Sequence, residues 1–400
     1  MFFGLSAIQC FVAIIVIFIV IYWLTPRKSA WFPILVVTVL LAVLAFNFQP
    51  NETDDLTRYY SQINYLREYG YDYLQKCFDE GINDWNVYRV CGYYFYFISK
   101  LPSNSYLPAI TIFISYGLMF LVLYKVANKF NASKGNLFLS LMFFLSTYWY
   151  YDTASGIRNG LVFSVIFICA YYMLFERKHI LLCLVGCMLS CFMHSAGVIL
   201  IGLLIITYLT INMNSKFLNV ILVFGLAAGG WFMDYLSGIT SNEYIQSIAG
   251  KAEHYVSGAS LNVGTMFIVN VVTYVIVAVV MLYSIRFIKQ SKYSEEFKNF
   301  NKFNTYIMCF MIGSIFTSLI FVRLSRWILP VLGGMYYMIG MQLQSGQMVS
   351  TESKNELAEK SSKLVMQGRL RGLMIVIFFT YTCIHFFYLC TGSSLNWMSF

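Results

Sequence analysis

The sequence predicts an all-α polytopic membrane protein of about twelve transmembrane helices, forming one integral domain over residues 1–400. Three observations predict it. Apolar side chains make up 59% of the chain and charged ones 11%, whereas ordinary soluble domains carry about 25% charged residues. Mean hydropathy is +0.67. The apolar runs are long and continuous, and lipid obliges every backbone polar group to be satisfied internally, so the spans are helices and not barrel strands. A soluble enzyme, a disordered chain, a coiled coil and a disulfide-stapled secreted domain are excluded.

A crossing needs about 20 mostly apolar residues. The runs that qualify lie near 5–24, 30–48, 105–126, 136–150, 159–175, 180–194, 195–211, 217–237, 264–287, 303–321, 327–342 and 372–388. The first has no basic n-region and no small-residue cleavage site, so it is expected to be a retained helix. The 180–211 stretch is either two short helices meeting at His194 or one long tilted helix.

Lysine and arginine in short loops set the orientation. Arg27, Lys28, Lys125, Lys129, Lys134, Arg177, Lys178, Lys216 and the loops 286–302 and 352–371 fall on one side, with a net charge of +12. The other side sums to −3, so the overall +9 is a positive-inside signal and needs no nucleic-acid partner. Both termini then lie outside.

Residues 49–104 form an outer loop that carries eight acidic residues, and 238–263 form a second. Within the first, the aromatic stretch 87–100, with Tyr93, Tyr94, Phe95, Tyr96 and Phe97, suits an interfacial or re-entrant helix. Residues 343–370 read as a solvated cytoplasmic link.

Charged groups at membrane depth are costly and point to function by default. Here they crowd one side: Asp54, Asp55, Arg58, Asp152, Arg158, His194, Asp234, Arg323 and Arg326 all map to the outer ends of spans or the loops beside them. Thr53 can cap a helix with Asp54 and Asp55 in its first turn. Leu56, Tyr59, Ile63 and Leu66 give that helix an apolar face, and Asp55 is within reach of Arg58; a capped amphipathic helix with a solvated ion pair explains the same pattern. Arg158 leads a span and must find an anion, carbonyls, water or headgroups. Arg323 and Arg326, three apart beside Trp327, can grip one anion or contact headgroup phosphate. His194, a lone histidine near a span, reads more often as a satisfied helix-contact residue than as a catalytic group. The Cys183/Cys187/Cys191 stripe matches no metal motif and fits small buried hydrophobes, and no carboxylate cluster suits a divalent metal.

Four of these segments resemble one family. Asp55-Leu-Thr-Arg58-Tyr59-Tyr60 resembles the early outer-loop motif of the EpsG-like polysaccharide polymerases, a branch of the Wzy-type polymerases of O-antigen, capsule and exopolysaccharide assembly. Gly156-Ile-Arg158-Asn-Gly-Leu resembles the family's arginine-led span, although Asn159 stands where related chains often carry Gln. Phe192-Met-His194-Ser195-Ala196 is similar to its Phe-His-Xaa-Ser-Ala segment, with Met193 intervening. Arg323/Arg326-Trp327 resembles its distal arginine-aromatic motif.

The resemblance implies a GT-C-like bundle in the bacterial inner membrane. It implies a glycosyltransferase that joins undecaprenyl-diphosphate-linked oligosaccharide units on the periplasmic or extracellular face, without metal or cofactor. A chain-length regulator is a further expected partner. Arg158, Arg323 and Arg326 would bind the diphosphate, and His194, Asp54 or Asp55 would be the base. Arg58, Tyr59 and Asp152 would orient the acceptor, with the 93–97 aromatics as a lipid or sugar platform. A flippase of lipid-linked sugar is the alternative. It would use the same arginines, but calls for polar groups at mid-depth and an internal repeat, and neither is evident in the sequence.

Overall fold

The computed structural model describes residues 6–52, 54–213, 217–222, 264–316, 318–351 and 359–391. Thr53, Lys216, Asp234, the loop 238–263 and most of the expected span 217–237 lie outside the described residues.

The described chain is all-helical, as its apolar runs require. The helices are α1 (Ala7–Leu24), α2 (Trp31–Phe46), α3 (Asp55–Glu80), α4 (Arg89–Ser99), α5 (Tyr106–Lys129), α6 (Lys134–Thr147), α7 (Tyr150–Ser155), α8 (Ile157–Tyr171), α9 (Ile180–Met193), α10 (Ala196–Leu209), α11 (Thr265–Lys289), α12 (Ser294–Gly313), α13 (Ser318–Trp327), α14 (Leu329–Thr351) and α15 (Glu359–Thr391). Ser6 and Gln9 open α1 with a reciprocal capping box. Beyond Tyr171, α8 continues into a π-helical turn, Tyr172–Glu176.

Six helices among the described residues are long and apolar enough to cross a membrane: Ala7–Leu24, Arg27–Phe46, Tyr106–Lys129, Ile157–Glu176, Thr265–Lys289 and Met366–Thr391. The chain is therefore a multi-pass membrane protein, with six helices of crossing length, not twelve, among the described residues. The shortfall has a physical source. The expected spans 136–150, 180–194 and 195–211 fold as helices of 14 residues, about 21 Å each at 1.5 Å per residue, short of a hydrocarbon core of roughly 30 Å. His194 separates α9 from α10 with extended backbone (φ −164°, ψ 141°), so 180–211 is two short helices. The expected link at 343–370 is largely helical too, because α14 runs to Thr351 and α15 starts at Glu359.

The most enclosed of the six are Tyr106–Lys129 and Ile157–Glu176. α8 packs on α5, α9 and α10, and α14 packs on α11, α6 and α5. Small residues permit this closeness. A Cβ on Gly334 would lie 2.9 Å from the Ser140 carbonyl oxygen; in its absence Ser140 Oγ donates to the Gly334 carbonyl at 2.8 Å.

The contacts sort charge to two ends. At one end Arg27 reaches Ala132 O and Asn128, Lys134 donates to Trp23 O at 2.8 Å, and Lys129 pairs with Glu296 at 2.6 Å. Lys125 pairs there with Glu176, and Lys302 donates to Met213 O. This is the basic end. Asp54, Arg158 and Arg326 belong to the opposite end, gathered around α7, and His194 closes α9 at that end.

Candidate functional site

The site is built around the break between α7 and α8. Six residues after α7 begins, Gly156 closes it by donating to the Asp152 carbonyl at 2.8 Å, and α8 starts at once. That puts Asp152 on the short helix and Arg158 in the first turn of the long one.

Arg158 is half-buried and faces α3. Tyr59, on the buried stripe of α3 with Leu56, Ile63 and Leu66, offers its ring to two guanidinium groups: Arg58 at 5.4 Å and Arg158 at 5.5 Å from the ring centre. Burial pushes the Tyr59 phenol up, with Arg158 opposing, so the phenol is neutral. Among the described residues no carboxylate pairs with Arg158, and its buried Nε has no hydrogen-bond partner. Arg158 opens on a cavity of about 170 Å³, lined also by Arg58, Tyr59, Gln62, Asn83, Asp84, Trp85 and Phe95.

The start of α3 is pinned to α7. Tyr151 donates its hydroxyl to Asp54 Oδ1, and Asp54 Oδ2 accepts from the Asn51 N–H at 2.8 Å. Burial and then this bond raise the Tyr151 phenol above its ordinary value. Asp54 is the residue before the helix but its side chain caps no N–H. Asp55 and Arg58 pair at 3.0 Å in the open, each 57% exposed.

Arg326 meets α7 from α13. Its Nη1 lies 2.6 Å from Asp152 Oδ1, with the two side chains 14% and 20% exposed. The guanidinium stacks 4.7 Å above the Trp149 ring, and Nη2 contacts the Met266 sulfur. Next to it the Trp327 indole donates to Thr153 Oγ1 at 3.1 Å and its ring stacks on Phe163. Arg326 therefore reaches the site with its charge already met by a carboxylate. Burial raises the Asp152 carboxyl above its ordinary value; Arg326 opposes this and the Asp54 carboxylate adds to it.

Arg323, half-buried one turn earlier on α13, does not line the cavity. His194 is 6% exposed, edge-on to Tyr88 with ring centres 6.2 Å apart. It lies behind the start of α4 and does not line the cavity. Of the expected residues, then, Arg58, Tyr59 and Arg158 share one cavity. Asp54, Asp152 and Arg326 form a neighbouring polar row, joined to it through α3 and α7. Trp149, Tyr151, Gln62, Asn83 and Asp84 carry parts of this geometry that the sequence reading missed. The Gly-Ile-Asn-Asp turn at 81–84 was the signal available for the last two. Among the described residues no three His, Cys, Asp or Glu side chains are grouped to hold a metal.

Comparison with curated proteins and with solved structures finds no match. The EpsG family model matches residues 30–344, which contain every group described above. On that match the chain belongs to the EpsG family, a membership that points to polysaccharide biosynthesis at a membrane.

Proposed function

We propose that this protein is a metal-independent glycosyltransferase that polymerises undecaprenyl-diphosphate-linked oligosaccharide repeat units into O-antigen, capsule or exopolysaccharide at the non-cytosolic face of the bacterial inner membrane. The observation that carries the reading is Arg158: a half-buried guanidinium with no carboxylate partner among the described residues, opening on a cavity at the end of the bundle opposite the basic loops. A permanently charged group so placed is ready to receive an anion.

The donor sugar departs from a diphosphate, and catalysis must stabilise the charge that gathers on the leaving oxygen. Arg158 is the group for this, its guanidinium held in advance against the Tyr59 ring. Arg326 has a different task. With Asp152 opposite, it ties α13 to α7 and sets the polar row beside the cavity. The acceptor hydroxyl gives up its proton to a base at the same end, for which the sequence nominates His194, Asp54 and Asp55.

In a strain lacking the gene, Arg158→Ala should cut polymer formation by about 10²–10³-fold, the loss typical of one charge-stabilising donor, and leave single repeat units on the gel. Arg158→Lys should rescue poorly, because a point charge lacks the planar fork. A full-length ladder from correctly inserted Arg158→Ala protein would overturn the reading. Absence of even single units in the deletion would point to the flippase alternative.

A further inference from the structure

We propose that the tyrosine cluster at the Gly70 kink of α3, made by Tyr65, Tyr69 and Tyr73, is a docking surface for the growing polysaccharide and holds the chain beside the cavity in which it is extended. This rests on the glycosyl-transfer reading above and adds to it how the product is retained between additions.

The sequence lays a track along one face of α3. Arg58, Gln62, Tyr65 and Tyr69 follow one another at spacings of four, three and four, so at about 100° per residue they stay within about 60° of one another around the axis. Arg58 and Gln62 line the cavity on which Arg158 opens. The two tyrosines continue that face away from it, with Tyr69 about 16 Å along the helix from Arg58. A chain leaving the cavity over this face meets phenol rings next.

The backbone gathers the third ring. Gly70 interrupts α3 with φ 69° and ψ −146°, a conformation essentially confined to glycine. On a straight helix Tyr73 would stand about 12 Å along the axis from Tyr65. Across the kink their ring centres are 5.7 Å apart, and Tyr69 lies 6.3 Å from Tyr65 and 6.1 Å from Tyr73. A Cβ at Gly70 would meet nothing within 4 Å, so the glycine serves the bend and not a close contact.

Exposure and charge point to the occupant. Tyr65 is 50% exposed and Tyr69 55%, while Tyr73 is half-buried. A contiguous patch of large exposed rings marks an interaction surface. The large apolar side chains exposed on α3 and α4 are all aromatic: Tyr65, Tyr69, Tyr71, Tyr93 and Phe97. The apolar helix α9 instead exposes Leu181, Leu182, Leu184 and Val185. Helices that lie in a headgroup layer are rich in Lys and Arg, whereas over residues 64–80 carboxylates outnumber cations four to two. A pyranose ring has an apolar C–H face and a rim of hydroxyls. A phenol matches both, with an apolar ring and a polar tip.

No bond is made or broken at this surface. It acts on effective concentration: a chain held at the cluster returns its end to the cavity more often than it escapes, so each polymer grows longer before release.

The test reads length and binding together. Tyr65→Ala with Tyr69→Ala would be expressed in a strain lacking the chromosomal gene, with membrane level matched by immunoblot and polymer length read on a gel beside Arg158→Ala. The modal length should fall about twofold or more. Tyr65→Phe with Tyr69→Phe keeps both rings and should retain most of the length. Gly70→Ala leaves all three rings in the chain but strains the kink, and should shorten the polymer too. Short oligosaccharides released from the strain's own polymer would also be titrated into purified protein in detergent. The double alanine variant should bind them about tenfold or more weakly than the unaltered protein. Either a full-length ladder or saccharide binding equal to the unaltered protein's overturns the proposal, and equal binding with a lowered membrane level would mark the cluster as a headgroup anchor instead. If the double variant does not reach the membrane, Tyr65→Ala alone carries the same test. If Arg158→Ala abolishes the ladder in that experiment while the tyrosine variants keep it, the docking surface falls alone; if Arg158→Ala makes a full ladder, it is the glycosyl-transfer reading that falls.

Discussion

At the basic end of the bundle the cations are numerous and two of them pair with glutamates, Lys125 with Glu176 and Lys129 with Glu296, while at the site end Arg158 and Arg326 are enclosed. Lys129 and Glu296 make a 2.6 Å pair with side chains 43% and 53% exposed; Arg326 and Asp152 make an equally short one at 14% and 20%. The distances match, but the physics does not. In the open, ion pairing is screened and offset by side-chain ordering, and contributes about 1 kcal/mol or less. Enclosed, each charge has lost water, and the attraction between the partners must first repay that loss. Fold stability gains little from charge paired in this way at the basic end. At the site end the chain retains groups that a more stable bundle would replace with apolar ones.

The sharpest way to break the comparison is to remove one partner of the enclosed pair. Arg326→Met leaves the Asp152 carboxylate uncompensated and should cost about 3 kcal/mol of stability near pH 7, seen as earlier thermal unfolding in detergent. Replacing both partners, Arg326→Met with Asp152→Leu, should recover most of that stability and still make no polymer. The Asp152 carboxyl is raised in the folded protein, above an unfolded value of about 3.9. Stability linked to it is therefore fully present below about pH 4 and is lost as pH rises through the raised value. Melting curves of Asp152→Asn, which has no proton to lose, should lack that slope.

The difference between the ends also explains what the sequence made legible. Charge sidedness is a sum over many residues, so it survived small errors in span boundaries; Arg27, Lys125, Lys129 and Lys134 all meet at the basic end. The α3 stripe and the Asp55–Arg58 pair followed from helical spacing alone, which fixes neighbours three and four apart. Site chemistry depends on pairings across the chain, and spacing says nothing about those. Arg326 and Arg323 share a helix and were expected to act together, yet Arg326 turns to Asp152, 174 positions away. The span count stayed open for a related reason: α9 and α10 are apolar like crossings but 14 residues long, and how far a helix reaches depends on where it stops. His194 adopts extended backbone and so decides for two short helices in a stretch whose apolar sequence suited one long helix as well.

A smaller effect should come from the packing that holds α7 in place. Gly160, on the first turns of α8, lies so near α7 that a Cβ there would sit 2.7 Å from Thr153 Cγ2 and 3.2 Å from Ser115 Oγ. Thr153 is the acceptor for the Trp327 indole. Gly160→Ala should therefore push α7 from α13 and cost about 1–3 kcal/mol, the usual range for overpacking. Because Asp152 moves with α7, polymer output should fall further than the loss of folded protein explains, with membrane level and ladder intensity measured together. If the two fall in proportion, α7 is only a packing element.

The smallest effect is expected at the basic end, and it is the control for all the others. Lys125 pairs with Glu176 at 3.5 Å beside a cleft lined by Lys129, Arg177, Lys178, Glu295 and Glu296. Many charges of both signs line that cleft, so the loss of one is met by its neighbours and by water. Lys125→Ala should shift stability by less than about 1 kcal/mol, and the polymer ladder should keep its length and intensity. Added salt should leave that small difference smaller still, since exposed pairs are screened over about 10 Å at 0.1 M. A loss of polymer at normal membrane level would place chemistry at the basic end as well, and the division of labour between the ends would have to be redrawn.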